Sequence, residues 1–193
     1  MIDAEHTYFQ PAIDIIATDL IKKYNRVYPV IFSTYQMYLK YSTARLMIDV
    51  DRARKGNYSF AAKLVRGAYM VVERSRAAQM GYEDPVHDNI GNTHENYNKA
   101  MQHLILCLAA GEHVEVMIAT HNRQSVELAL ETMATSGLPP KSNVYFGQLL
   151  GLNISTILSK IVLQLNYSSP ANTSMILLPG LFVELSNLIV YTL

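Results

Sequence analysis

Through the first 151 residues short apolar runs alternate with longer helix-patterned stretches, and that alternation leaves few folds open. Pro29-Val30-Ile31-Phe32-Ser33-Thr34, Ala61-Ala62-Lys63-Leu64-Val65-Arg66 (closed by Gly67), Val114 to Ala119 and Asn143 to Gly147 read as strands, and one more is inferred at the very start. Between them, Ile13, Ile16, Ala17, Leu20 and Ile21 repeat at helical spacing behind Pro11, up to Asn25. Leu39, Leu46, Val50 and Ala53 mark a second helix ending at Gly56, and Val71 to Met80 a third, stopped by Gly81. Tyr97, Met101, Leu104, Ile105 and Leu108 mark a longer one before Gly111, and Val126, Ala129, Leu130 and Met133 a last one before Gly137.

Strands separated by helices pair in parallel through right-handed crossovers, so the fold class is α/β. A doubly wound nucleotide-binding sheet needs a glycine-rich phosphate loop after a strand, and no strand end here supplies one. The strand ends carry polar groups instead: Asp3 and Glu5, Ser33 and Thr34, Arg66, Thr120-His121-Asn122, and Gln148. Chemistry gathered at the carboxyl ends of parallel strands is what a (β/α)8 barrel produces. Such barrels run to ~250 residues. About five βα units are legible, so the expectation is an incomplete barrel over residues 1–151 with a divergent apolar tail over 152–193.

The tail is set off by its charge. Of 32 charged residues, 30 precede residue 152; only Lys160 and Glu184 follow, and no arginine occurs after Arg123. Ser174 to Leu193 matches a bilayer span in length, but Pro179-Gly180 and the polar pair Ser186-Asn187 argue against a membrane helix. Sixteen basic residues balance sixteen acidic ones, which removes the electrostatic case for nucleic acid. Cys107 lies in an apolar run and reads as a small core hydrophobe. His6, His87, His94, His103 and His113 show no metal-ligand spacing, and His87 and His94 read as solvated. The opening residues carry neither a secretion signal nor a transit peptide.

Asp3-Ala4-Glu5, Thr7-Tyr8-Phe9-Gln10-Pro11, Lys63-Leu64-Val65-Arg66-Gly67-Ala68-Tyr69, Gly81-Tyr82-Glu83-Asp84-Pro85, Ala119-Thr120-His121-Asn122 and Tyr145-Phe146-Gly147-Gln148-Leu149-Leu150-Gly151 occur in that order. Together they resemble the proline dehydrogenase family, in its eukaryotic mitochondrial branch, across about residues 1 to 151. The resemblance implies a FAD-containing barrel in the mitochondrion that oxidises L-proline to Δ1-pyrroline-5-carboxylate and passes electrons to a quinone, with peripheral contact to the inner membrane. Hydroxyproline dehydrogenase is a close relative and an alternative. The same resemblance makes Lys63, Val65, Arg66 and Gly67 flavin contacts, since cations and close backbone approach suit an isoalloxazine ring. It places Asp3, Ala68 and Tyr69 beside the substrate, and Thr120, His121, Asn122, Gln148 and Leu149 on the dinucleotide.

Read without the resemblance, Lys63 to Arg66 is a strand with solvated ends, His121 a structural hydrogen-bonder and Asp3 part of a frayed start. The family's first two strands, with a lysine and a glutamate of the pocket, find no counterpart before Asp3. Its paired carboxylate-binding arginines find none in Leu152 to Leu193. A buried arginine–carboxylate contact is worth ~2–5 kcal/mol, so turnover by these 193 residues alone is expected to be low. The abrupt change at Gly151 favours foreign or retained non-coding sequence over gradual drift. The rival expectation is a non-catalytic relative that binds an intact enzyme through open strand edges.

Overall fold

The computed structural model describes residues 1–139, 141–149 and 188–192. Its elements are α1 (Gln10–Tyr24), β1 (Ser33–Gln36), α2 (Ser42–Gly56), β2 (Phe60–Val65), α3 (Met70–Met80), α4 (Ile90–Ala109), β3 (Val114–Ala119), α5 (Arg123–Thr135), β4 (Val144–Leu149) and β5 (Leu188–Thr192). The sheet runs β1-β2-β3-β4-β5. The first four strands are parallel, in the register Ser33 to Ala62, Ala62 to Val116 and Val116 to Val144, and β5 joins β4 antiparallel.

Strand alternation sorts the sheet's two faces. Tyr35, Phe60, Ala62, Leu64, Val114, Val116, Ile118, Val144 and Phe146 belong to one core with Leu46, Val50, Tyr97, Met101, Leu104, Ile105, Val126 and Leu130 from the helices. The opposite face carries Thr34, Gln36, Lys63, Val65, Glu115 and Tyr145, and Tyr145 donates to Glu115 at 2.9 Å. Phe32, just before β1, meets Tyr145 edge-on at 6.1 Å although two strands lie between them. A flat sheet, with strands ~4.8 Å apart, would keep them separate, so the sheet is curved like a barrel wall.

Four details depart from the sequence expectation. The first strand starts at Ser33 rather than Pro29, because the buried Asn25 side chain takes the amides of Val30 and Ile31 and donates to the Ile31 carbonyl, removing them from the ladder. The strand inferred at the start reduces to one parallel bridge, Ile2 to Ser33. The β2–β3 crossover holds two helices, α3 and α4, so strand and helix do not alternate one for one. Ser33 and Thr34 open their strand rather than close it.

Most of the expected tail lies outside the described residues; of the bilayer-length segment Ser174 to Leu193, only β5 is described, and it is a strand paired with β4. Among those described, no helix is long and apolar enough to cross a membrane. Cys107 is buried in α4, and burial raises its thiol pKa.

Candidate active site

β2 delivers the first functional groups. Ala62 and Leu64 face the helices, so Lys63 and Val65 point to the opposite face, and Arg66, Gly67, Ala68 and Tyr69 follow where the strand ends. These residues line an open cleft of about 390 Å³ with Asp3, Ala4, Glu5, Thr34 and Gln36. That volume lies within the range of small-molecule sites. Other pockets open elsewhere, one of them between α1 and α2 and larger than this. Neither size nor enclosure singles out the β2 cleft, and charged groups line the pocket between α1 and α2 as well; its place at the carboxyl end of a parallel strand, where α/β folds gather their chemistry, sets it apart.

Lys63 donates to Asp3, which Thr34 also reaches at 3.3 Å. The Lys63 hydrogen bond is the main reason the Asp3 carboxyl titrates below its ordinary range, although Asp3 itself is exposed. The segment carrying Asp3 is held in place: Gln36 donates to the Glu5 carbonyl at 2.8 Å, and the Glu5 amide donates to Gln10 at 2.9 Å. Tyr69 donates its hydroxyl to Glu5 at 3.0 Å, a contact that raises the phenol's pKa, and its ring packs 4.1 Å from His6.

Arg66 turns toward β3. Its guanidinium donates to His94 Nδ1 at 2.9 Å, Thr120 Oγ1 at 2.6 Å and Ser125 Oγ at 2.8 Å, and lies 4.3 Å over the Tyr97 ring. All three acceptors are neutral or, for His94, accepting through an unprotonated nitrogen. Burial lowers the Arg66 pKa, and no carboxylate among the described residues offsets its charge. A half-buried cation with only neutral partners suits an electron-rich or anionic ligand.

The dinucleotide candidates divide. Thr120 belongs to the Arg66 network and also accepts from the Asn122 amide at 3.0 Å. Asn122 caps α5 by accepting from the Ser125 amide at 3.0 Å, and His121 beside it is exposed. Gln148 is buried and donates to the Thr120 carbonyl at 3.2 Å. The Leu149 side chain lies outside the described residues. Thr120, Asn122 and Gln148 thus join the cleft through Arg66 without lining it.

Gly67 has a local reason of its own. Its φ is +142°, and a methyl group there would overlap the Tyr38 ring, so close approach at Gly67 is to Tyr38. His94 corrects the sequence reading: it sits inside α4 and accepts from Arg66 instead of standing in solvent. Its neighbour in that reading, His87, is half-buried as well.

Sequence reasoning passed over His94, Tyr97, Ser125, Gln36 and Glu73. Tyr97 was legible only as a helix-face residue, yet its hydroxyl lies 3.3 Å from the carbonyls of both Leu64 and Ala119. Glu73 is wholly buried, and no pattern in Met70-Val71-Val72-Glu73 announces it.

Comparison with known proteins identifies the family. A family model described as proline dehydrogenase matches residues 1–169. Human mitochondrial proline dehydrogenase 1 is 44% identical over 153 residues, 79% of this chain and 26% of the relative. The Caenorhabditis elegans protein of that name is 41% identical over 155 residues, covering 79% and 25%. Hydroxyproline dehydrogenase of Xenopus laevis is 38% identical over 154 residues, covering 79% and 33%.

Among solved structures, proline utilization A from Bdellovibrio bacteriovorus, inactivated by N-propargylglycine, superposes with a TM-score of 0.73 at 22% identity, covering 83% of this chain and 16% of that one. The Bradyrhizobium japonicum protein gives 0.69 at 25%, with the same coverage. The chain spans about a quarter to a third of the length of these curated relatives. With motif order, curved parallel sheet and family match in agreement, the chain belongs to the proline dehydrogenase family.

Proposed function

We propose that the β2 cleft is the flavin and substrate pocket of an FAD-dependent oxidation of L-proline to Δ1-pyrroline-5-carboxylate. The observation that carries this reading is the convergence of Lys63, Arg66, Asp3 and Tyr69 on one cleft at the carboxyl end of β2. The residues suit the cofactor: among the described residues, Arg66 is a half-buried cation with no carboxylate to offset it, and Lys63 lines the same cleft with the exposed Asp3 as its counter-ion. FAD, when bound, would accept the two electrons released as the substrate's CH–NH unit becomes C=N with loss of two hydrogens, and would pass them to a quinone.

The chain's own groups would do the rest. Lys63 and Arg66 would hold positive charge at the ring, with Val65 and Gly67 beside it. Tyr69 and Ala68 would pack on the proline ring, and Asp3 would orient Lys63. Thr120 with Asn122 and Gln148 would fix Arg66 from behind, and His121 and Leu149 would reach toward the dinucleotide.

Two relatives are named as mitochondrial, which supports a mitochondrial location, and a quinone acceptor would put the chemistry at the inner membrane as a peripheral protein. We read residues 1–151 as one partial barrel unit distinct from 152–193. For these 193 residues alone turnover should be far below that of an intact enzyme, a reading supported by the described outer edge of β1, which meets only Ile2.

The test is to purify the chain, titrate FAD by quenching of its fluorescence, and add L-proline. Saturable quenching, weakened at least tenfold by Arg66→Ala, with slow bleaching by L-proline is expected. Absence of saturable quenching would overturn the reading. Faster bleaching by hydroxyproline would move the substrate to the alternative that the Xenopus relative's name carries.

A further inference from the structure

Glu73 has no exposed surface, and it sits on a helix that otherwise buries only Ala77. Its partners lie 66 residues away in the amino-terminal segment. Oε1 accepts from the Thr7 amide at 2.7 Å, Oε2 accepts from the Thr7 hydroxyl at 2.5 Å, and His6 Nδ1 stands 3.5 Å from Oε1. The Glu73 amide also donates to the Tyr69 carbonyl at 2.9 Å, so one residue is bonded to both the Tyr69 turn and the 3–8 segment.

Both pieces line the cleft, with Asp3, Ala4 and Glu5 from one and Tyr69 from the other. His6, one residue before Thr7, packs its ring 4.1 Å from Tyr69, and Glu5 accepts from the Tyr69 hydroxyl. Burying a carboxyl group is unfavourable, and an apolar side chain would give α3 the same packing without that cost. What an apolar residue could not do is hold Thr7 by two directed bonds.

We propose that Glu73 is a positioning residue for the cleft: through Thr7 and His6 it sets the separation of Asp3 and Glu5 from Tyr69. The proposal rests on the reading of that cleft as the proline pocket. Glu73 lines no part of the cleft, and its carboxylate acts on it through the bonds to Thr7.

The test uses the full 193-residue chain with FAD and two kinds of variant. Thr7→Val is isosteric at a half-buried position, removes one bond to Glu73 and leaves the core filled. Glu73→Gln keeps an acceptor for the Thr7 amide and can donate to the Thr7 hydroxyl oxygen. Thr7→Val should lower the second-order rate constant for bleaching by L-proline about tenfold while FAD affinity stays within twofold. Glu73→Gln should stay within about threefold of the parent, whereas Glu73→Ala should lose the proline dependence or fail to fold.

Unchanged bleaching in Thr7→Val would overturn the proposal and leave the pocket reading intact. If the parent neither binds FAD nor bleaches, the pocket reading falls, and hydrogen exchange decides the geometric claim. Faster exchange confined to residues 1–10 and 66–70 in Thr7→Val supports it, and an unchanged pattern overturns it.

Discussion

Gly67 and His94 show how single residues hold the cleft's rim. At Gly67 the backbone is in a conformation that side chains rarely adopt, and Tyr38 fills the space a Cβ would need. Gly67→Ala should therefore cost about 3 kcal/mol, read as a lower midpoint in urea, because both strain and overlap act. His94 is held below its ordinary pKa of 6.5, first by burial and then by the Arg66 cation. A histidine whose folded pKa is depressed stabilises the fold above 6.5 and loses that contribution as pH falls through the lowered value. Stability should decline as pH drops from 6.5, and His94→Gln, whose amide oxygen accepts from Arg66 at every pH, should flatten that decline in a pH series of thermal melts. Neither role was legible beforehand. The block Lys63 to Tyr69 placed Arg66 and Gly67 at a strand end, but their partners come from α4, the end of β3, α5 and the loop after β1, and local sequence does not encode such distant contacts.

At the scale of elements, β3 could be read to the residue because Val114-Glu115-Val116-Met117-Ile118-Ala119 is apolar and sharply bounded. β1 slid because Asn25, legible as the end of α1, turned out to organise residues 30 and 31 through its side chain. α3 was found at its proper length, but its inward face was not: Val71 and Val72 are exposed, and Glu73 with Ala77 points inward. α4, by contrast, buries seven side chains, among them Tyr97, Met101, Leu104 and Ile105. Local stability follows burial, so amides in α3 should exchange with deuterium at least about tenfold faster than those in the middle of α4. Equal protection in the two helices would mean that something covers α3.

For the whole molecule, net charge and exposed apolar surface act together. The formal charge is zero at neutral pH. Ile15, Val27, Tyr28, Val71 and Ile90 are each at least 66% exposed. Among the described residues, the outer side of β1 pairs only at its bridge to Ile2, so its other backbone groups are a template for strand addition. With no net charge to keep copies apart, apolar and edge contacts govern association, and solubility should pass through a minimum near pH 7. Raising the pH to about 9, above the isoelectric point near 7.0, gives the molecule a net negative charge, and light scattering should fall. Val27→Glu combined with Ile90→Glu should abolish the minimum at pH 7 without changing the melting midpoint by more than about 1 °C, since both side chains already face solvent. If scattering stayed equally high in that double variant, association would run through the strand edge, and a proline at Gln36, which removes a β1 amide, is the substitution that would then be expected to suppress it.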